Sequence, residues 1–113
     1  MPNVNTKNFS LFYVTCDSCE TAKTIARSLL DNKLAACANI IPNISSLYLS
    51  EGVIKEDNEV VLIIKTVPSL SSKCRDLISE LHPYDIPAII YLDNVNVSDE
   101  FSNWINSNLK IPL

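Results

Sequence analysis

Between Glu59 and Thr66 the chain reads EVVLIIKT, and Val60 to Ile64 form an unbroken aliphatic run. Valine and isoleucine favour a pleated backbone, and successive side chains of a strand point to opposite faces. This strand therefore needs apolar cover on both sides. A sheet with one wet face does not suit it, and the rest of the chain, or another copy of it, has to supply a layer on each side.

The remaining segments can be placed around that strand. Phe9–Thr15 (FSLFYVT) is apolar, aromatic and β-branched and reads as a first buried strand. Ala22, Ile25, Ala26, Leu29 and Leu30 recur at helical spacing, which predicts a helix over 18–31 with Asp17 and Glu20 as a reciprocal cap. Asp31-Asn32-Lys33 ends it. The chain is then apolar from Leu34 through Ile41, is interrupted at Pro42-Asn43 and resumes over Ile44–Leu49, as a long strand bent at Pro42. Glu51-Gly52 marks a turn and Lys55–Asn58 a second one before the Glu59 strand. After Pro68, the residues Leu70, Cys74, Leu77, Ile78 and Leu81 share one face of a helix over 69–81, stopped at His82-Pro83. Pro87–Leu92 reads as a short strand, and Ser98 caps a last helix with a Phe101, Trp104, Ile105 stripe. Residues 1–8 read as a tail and 9–113 as a single domain.

The order βαββαβ plus a helix leaves little topological freedom. Right-handed crossovers interleave two split βαβ units into a four-stranded antiparallel sheet with both main helices on one face. The fold class is α+β, a ferredoxin-like sandwich with an extra C-terminal helix. Two helices cover one face only, so a symmetric homo-oligomer that packs sheets or pairs strand edges is the economical cover for the other.

Composition removes several functions. Nine Lys and Arg against thirteen Asp and Glu give a net charge of -4, with no basic block, which disfavours nucleic acid and anionic membrane as partners. Gly52 is the single glycine, so no phosphate-cradling loop can be written. His82 is the single histidine, which excludes two-imidazole zinc sites and two-histidine acid–base schemes. No stretch approaches the roughly 18 apolar residues of a membrane helix. The polar first eight residues and the short run Leu11–Val14 do not read as a secretory leader, so the four cysteines are expected in a reducing, cytoplasmic setting.

Several strings then become recognisable together: Lys33-Leu34-Ala35-Ala36-Cys37-Ala38-Asn39-Ile40-Ile41-Pro42, Ser46-x-Tyr48-x-x-Glu51-Gly52-x-Ile54, Ile64-Lys65-Thr66 and His82-Pro83-Tyr84-x-x-Pro87. From Phe9 to Ile105 the chain resembles the CutA divalent-cation tolerance family. The resemblance implies a tight homotrimer, similar in architecture to the PII signalling proteins, connected with tolerance of copper and other divalent ions, and it does not imply an enzyme. One departure stands out. Many members carry tryptophan just before the Glu-Gly of the turn, where this chain has Ser50.

The candidate site residues follow from the chemistry and the resemblance together. Cys37, between Ala36 and Ala38, reads as a compact buried hydrophobe or as a soft ligand for a thiophilic ion. His82 reads as a helix C-terminal cap or as a borderline metal ligand. In the second reading it joins Tyr84 and Asp85, with Glu59 and Lys65 from a neighbouring strand, in an intersubunit cleft for a metal ion or a small ligand. Copper or another divalent ion would be bound there without being needed for folding. Cys16-Asp17-Ser18-Cys19 lies at a strand-to-helix junction, where amide N–H groups lower a thiol pKa. The following hairpin argues against a thioredoxin-like arrangement. The element order is similar to that of heavy-metal-associated copper chaperones, although Val14-Thr15-Cys16 lacks their methionine. Cys74 reads as core. Two functions remain in view: a trimeric binding or regulatory protein, and a thiol enzyme or copper carrier using Cys16 and Cys19.

Overall fold

The computed structural model describes residues 9–109; the sequence-predicted tail 1–8, and the end of the predicted domain at 110–113, lie outside them. The elements run β1 (Ser10–Cys16), α1 (Cys19–Asp31), β2 (Cys37–Ser50), β3 (Val53–Thr66), a short 3-10 turn at Pro68–Leu70, α2 (Ser71–Leu81), β4 (Ile89–Leu92) and α3 (Asp99–Leu109). The strands form one sheet in the order β2-β3-β1-β4, and every neighbouring pair is antiparallel. This is the ferredoxin-like α+β arrangement that the order of elements predicts.

The two faces of the sheet differ. Phe12, Val14 and Cys16 of β1 and Leu62 and Ile64 of β3 pack with Ala22, Ile25 and Leu29 of α1 and Cys74 and Ile78 of α2 in the main core. Each large aliphatic or aromatic side chain buried there contributes roughly 1.5–3 kcal/mol. On the opposite face, Phe9, Val67, Ile105 and Leu109 form a second cluster, with Leu11, Ala36 and Phe101 packed against it. Helix α3 therefore covers one end of that face. Among the described residues the rest of that face is uncovered: Tyr13, Ile41, Ile90 and Leu92 are all exposed.

Three local expectations change. The N-cap of α1 is Ser18, not Asp17: its hydroxyl accepts from the Thr21 N–H at 3.1 Å, one of the free donors of the first helical turn. Lys55–Asn58 is not a turn. These residues continue β3 and pair with Ser45–Tyr48, so β2 and β3 form a ribbon closed by a two-residue turn between Ser50 and Val53. Glu51 and Gly52 both have positive φ, 52° and 78°, as the primed turn that matches strand twist requires. The polar run Lys55–Asn58 suggested a turn because the ribbon is wet on both faces at that point. Finally, Trp104 is not the side chain of α3 that is buried within the chain. Ile105 is buried, whereas Trp104 is 46% exposed and lies stacked on Phe101.

The kink predicted at Pro42 is a β-bulge. Ile41 pairs with Val61 and Ile44 with Glu59, so Pro42 and Asn43 oppose Val60 alone. Beyond this bulge β3 has lost β1 as a neighbour, and the two-stranded ribbon continues by itself.

Candidate functional site

The site is built where that ribbon leaves the sheet, beside the loop that follows α2. Proline at position 83 cannot extend the helix, and His82 takes an extended conformation as its C-cap, donating its backbone N–H to the Ile78 carbonyl at 2.9 Å. The buried imidazole bridges two segments. Its Nδ1 accepts the Tyr84 N–H at 3.2 Å, which leaves the proton on Nε2, and Nε2 donates to the Thr15 carbonyl at 2.8 Å. Both ring nitrogens are thus engaged. In this arrangement His82 has no lone pair to offer a metal and acts instead as the strut that fixes Tyr84, whose ring centroid lies 4.7 Å away.

Tyr84 turns its phenol to the ribbon and donates to Glu59 Oε2 at 2.9 Å. Two residues along the same face of β3, Asp57 Oδ2 accepts from the Tyr48 hydroxyl at 2.5 Å. Ser46 is the cross-strand neighbour of Asp57. Together Thr15, Ser46, Tyr48, Asp57, Glu59, Tyr84, Ile86 and Ala88 line an open cleft of about 520 Å³. The volume lies within the usual range for small-ligand sites.

The electrostatics of the cleft are one-sided. Among the described residues neither carboxylate is paired with a lysine or arginine, and each holds one phenol. Burial and the hydrogen bond to Glu59 push the Tyr84 phenol well above its ordinary value of 10.0. The hydrogen bond to Asp57 raises that of Tyr48. Both phenols therefore remain neutral donors at physiological pH, and the net charge offered to a ligand is negative.

The other sequence-predicted residues are distributed elsewhere. Lys65 does not meet Glu59 within the chain. It pairs with Cys37 and Leu11, six residues further along β3, roughly 20 Å away at the rise of a strand. There its ammonium lies 5.5 Å from the Phe101 ring centroid, and Cys37 is half-buried. Asp85 is exposed outside the cleft lining. Cys16 points into the main core, where burial, then Asp17 and Glu59, push its thiol up to about 11. Cys19, at the start of α1, packs against the same core. At Cys16 the strand-to-helix junction therefore does not yield an acidic thiol, because desolvation outweighs any help from the helix amides. Cys74 is core as expected, its thiol donating to the Leu34 carbonyl at 2.9 Å. Among the described residues no three of His, Cys, Asp and Glu come together as a group that could hold a metal ion.

Tyr48, Asp57, Ser46, Thr15 and Ile86 were not singled out by sequence as site residues. A signal for them existed. Counting outward from a two-residue Glu51-Gly52 turn sets Tyr48 opposite Lys55 and Ser46 opposite Asp57, but only if Lys55–Asn58 is strand.

Comparison with known proteins bears on the whole of this architecture. Residues 10–108 match the family model described as CutA1 divalent ion tolerance protein. The "Divalent-cation tolerance protein CutA" of Thermus thermophilus is 37% identical over 95 residues, covering 84% of this chain and 92% of the relative. "Protein CutA, chloroplastic" of Arabidopsis thaliana is 39% identical over 98 residues; the match covers 87% of this chain but 54% of that longer protein. The crystal structure of CutA1 from Ehrlichia chaffeensis superposes with a TM-score of 0.86 at 44% identity, covering 91% of this chain and 96% of that one. A match over nearly the full described length, in sequence and in fold, leaves one assignment: this chain belongs to the CutA1 divalent ion tolerance family.

Proposed function

We propose that this protein is a binding or regulatory protein, not an enzyme, that contributes to tolerance of divalent cations, copper among them. It works as a homotrimer whose clefts take up a positively charged ligand, either a metal ion or a small organic cation. The observation that carries this reading is the pair of phenol-capped carboxylates, Tyr48–Asp57 and Tyr84–Glu59, side by side in one cleft with no cation among the described residues to neutralise them. Each carboxylate uses one acceptor site on a phenol and keeps further lone pairs free.

The trimer is supported by the apolar surface of Tyr13, Ile41, Ile90 and Leu92, which no element among the described residues covers. Burial of that surface between copies gives the sheet its second layer, with residues 9–113 folding as one domain in each copy. The cytoplasm is the proposed compartment, with no nucleic-acid or membrane partner.

The test is native mass spectrometry of the full chain with and without Cu(I), Zn(II) and a thiol reductant, repeated on Glu59→Gln. The expected spectrum is a trimer that gains ligand in the wild type and less in the variant. A monomer at micromolar concentration would refute the assembly, and equal uptake by the variant would refute the cleft as the site.

A further inference from the structure

The cleft that carries the proposed function has walls of a particular kind, and they bear on which cation it takes. A hard divalent ion gathers about six oxygens at close range, and a soft one needs thiolate or imidazole. This cleft supplies neither set. Its carboxylates are Asp57 and Glu59, its phenols are already donating to them, and no cysteine or histidine lines it. The remaining wall is carbon: the rings of Tyr48 and Tyr84, and the side chains of Ile86 and Ala88. A hydrated metal ion gains nothing from such a wall. An ammonium on a hydrocarbon stem gains twice, because its N–H groups meet the carboxylates while its methylenes and its charge meet apolar and aromatic surface. Ile86, 90% exposed beside the opening, is an apolar side chain that such a stem can cover.

Spacing adds a second element. Asp57 and Glu59 sit two residues apart on one strand face, so their backbones are about 6.6 Å apart. A straight diamine with four carbons between its nitrogens has a similar span. From the concave apolar wall and this spacing we infer that the cleft recognises a short aliphatic ammonium compound, preferentially a diammonium that meets both carboxylates. The inference rests on the cleft being the ligand site at all.

The experiment is isothermal titration of the full-length protein with 1,4-diaminobutane dihydrochloride, with neutral 1,4-butanediol, and with zinc chloride alone. It is repeated on Asp57→Asn and Glu59→Gln after circular dichroism and native mass spectrometry have shown an unchanged fold and assembly. Each variant keeps a carbonyl oxygen for its phenol and removes only the charge. The diamine is expected to bind once per chain, at least tenfold more weakly in either variant, and the diol to give no binding heat. If zinc binds and loses affinity in both variants while the diamine gives no heat, the ammonium inference falls and the cleft stands as a metal site. If diamine affinity is the same in wild type and both variants, the inference also falls. Silence from both cations overturns the inference and the cleft reading together.

Discussion

Replacing His82 by leucine separates a structural imidazole from a metal-binding one. In the folded chain the ring satisfies two backbone groups, the Thr15 carbonyl at 2.8 Å and the Tyr84 N–H at 3.2 Å. Leucine fills much of the same space and satisfies neither. A buried polar group left without a partner costs about 1–3 kcal/mol. The Thr15 carbonyl belongs to a half-buried residue, and Tyr84 is 37% exposed, so water can recover part of the second loss. The expected destabilisation is therefore about 2–4 kcal/mol, toward the lower end. Urea unfolding at one fixed protein concentration measures it, because the stability of the proposed oligomer would depend on concentration. A parallel titration with Cu(II) should show an ion affinity little changed under conditions where the variant remains folded. Wild-type stability in the variant, or loss of Cu(II) binding without loss of stability, would refute the reasoning and return His82 to the list of ligands.

The thiols give a second test: Cys19 and Cys37, both half-buried, should react with a disulfide reagent at pH 8 well before the buried Cys16 and Cys74. Rapid reaction of Cys16 would contradict its burial. The pH dependence has a definite sign, since Cys16 and Cys74 ionise at about 11 when folded against an ordinary value of 9.0. The unfolded chain loses these protons first, so their contribution to stability is intact below pH 9 and declines as pH rises toward 11, as thermal melts in alkaline buffers will show. Lys33 ends α1 with φ 56°, in a Schellman-type closure where the Leu34 N–H reaches the Leu29 carbonyl at 2.9 Å. Lys33→Gly should raise stability by about 0.5–1 kcal/mol, and a loss in denaturant unfolding would count against strain at that residue. Ile41→Asp puts a charge on the exposed sheet face and should dissociate the proposed oligomer in sedimentation velocity, whereas an unchanged sedimentation coefficient would show that this face is not where copies meet.

Much of the fold was legible because its elements announce themselves by period. Val60–Ile64 demanded two apolar layers: the α1/α2 core supplies one to Val60, Leu62 and Ile64, whereas the α3 cluster covers only one end of the second face and includes none of these residues. The helix stop at His82-Pro83 and the Ser98 cap, whose hydroxyl accepts the Phe101 N–H at 3.3 Å, follow from local chemistry alone. The site was less legible. Glu59 and Tyr84 come together through a loop whose path depends on the buried imidazole between them, which no spacing encodes. Asp57 and Tyr48 were hidden by composition, since Lys-Glu-Asp-Asn reads as a turn when its hydrogen-bonding partner strand is not in view. Lys65 was grouped with Glu59 from the family pattern, and within one chain the strand register separates them.

The bulge at Pro42 and Asn43 sets one further property of the molecule. Past it, residues 44–59 form a two-stranded ribbon with no third strand among the described residues, and residues 51–58 at its far end are exposed. A ribbon of that kind has little persistence in water without support. Its amide protons should therefore exchange with solvent many times faster in any separated subunit than in the assembled protein, while those of β1 and of β3 from Val60 onward stay protected in both. If copies associate as proposed, the outer ribbon would serve as a built-in gauge of assembly: the half of the cleft contributed by Tyr48, Asp57 and Glu59 would become rigid on association, and ligand affinity would rise with protein concentration even though every lining residue belongs to one chain.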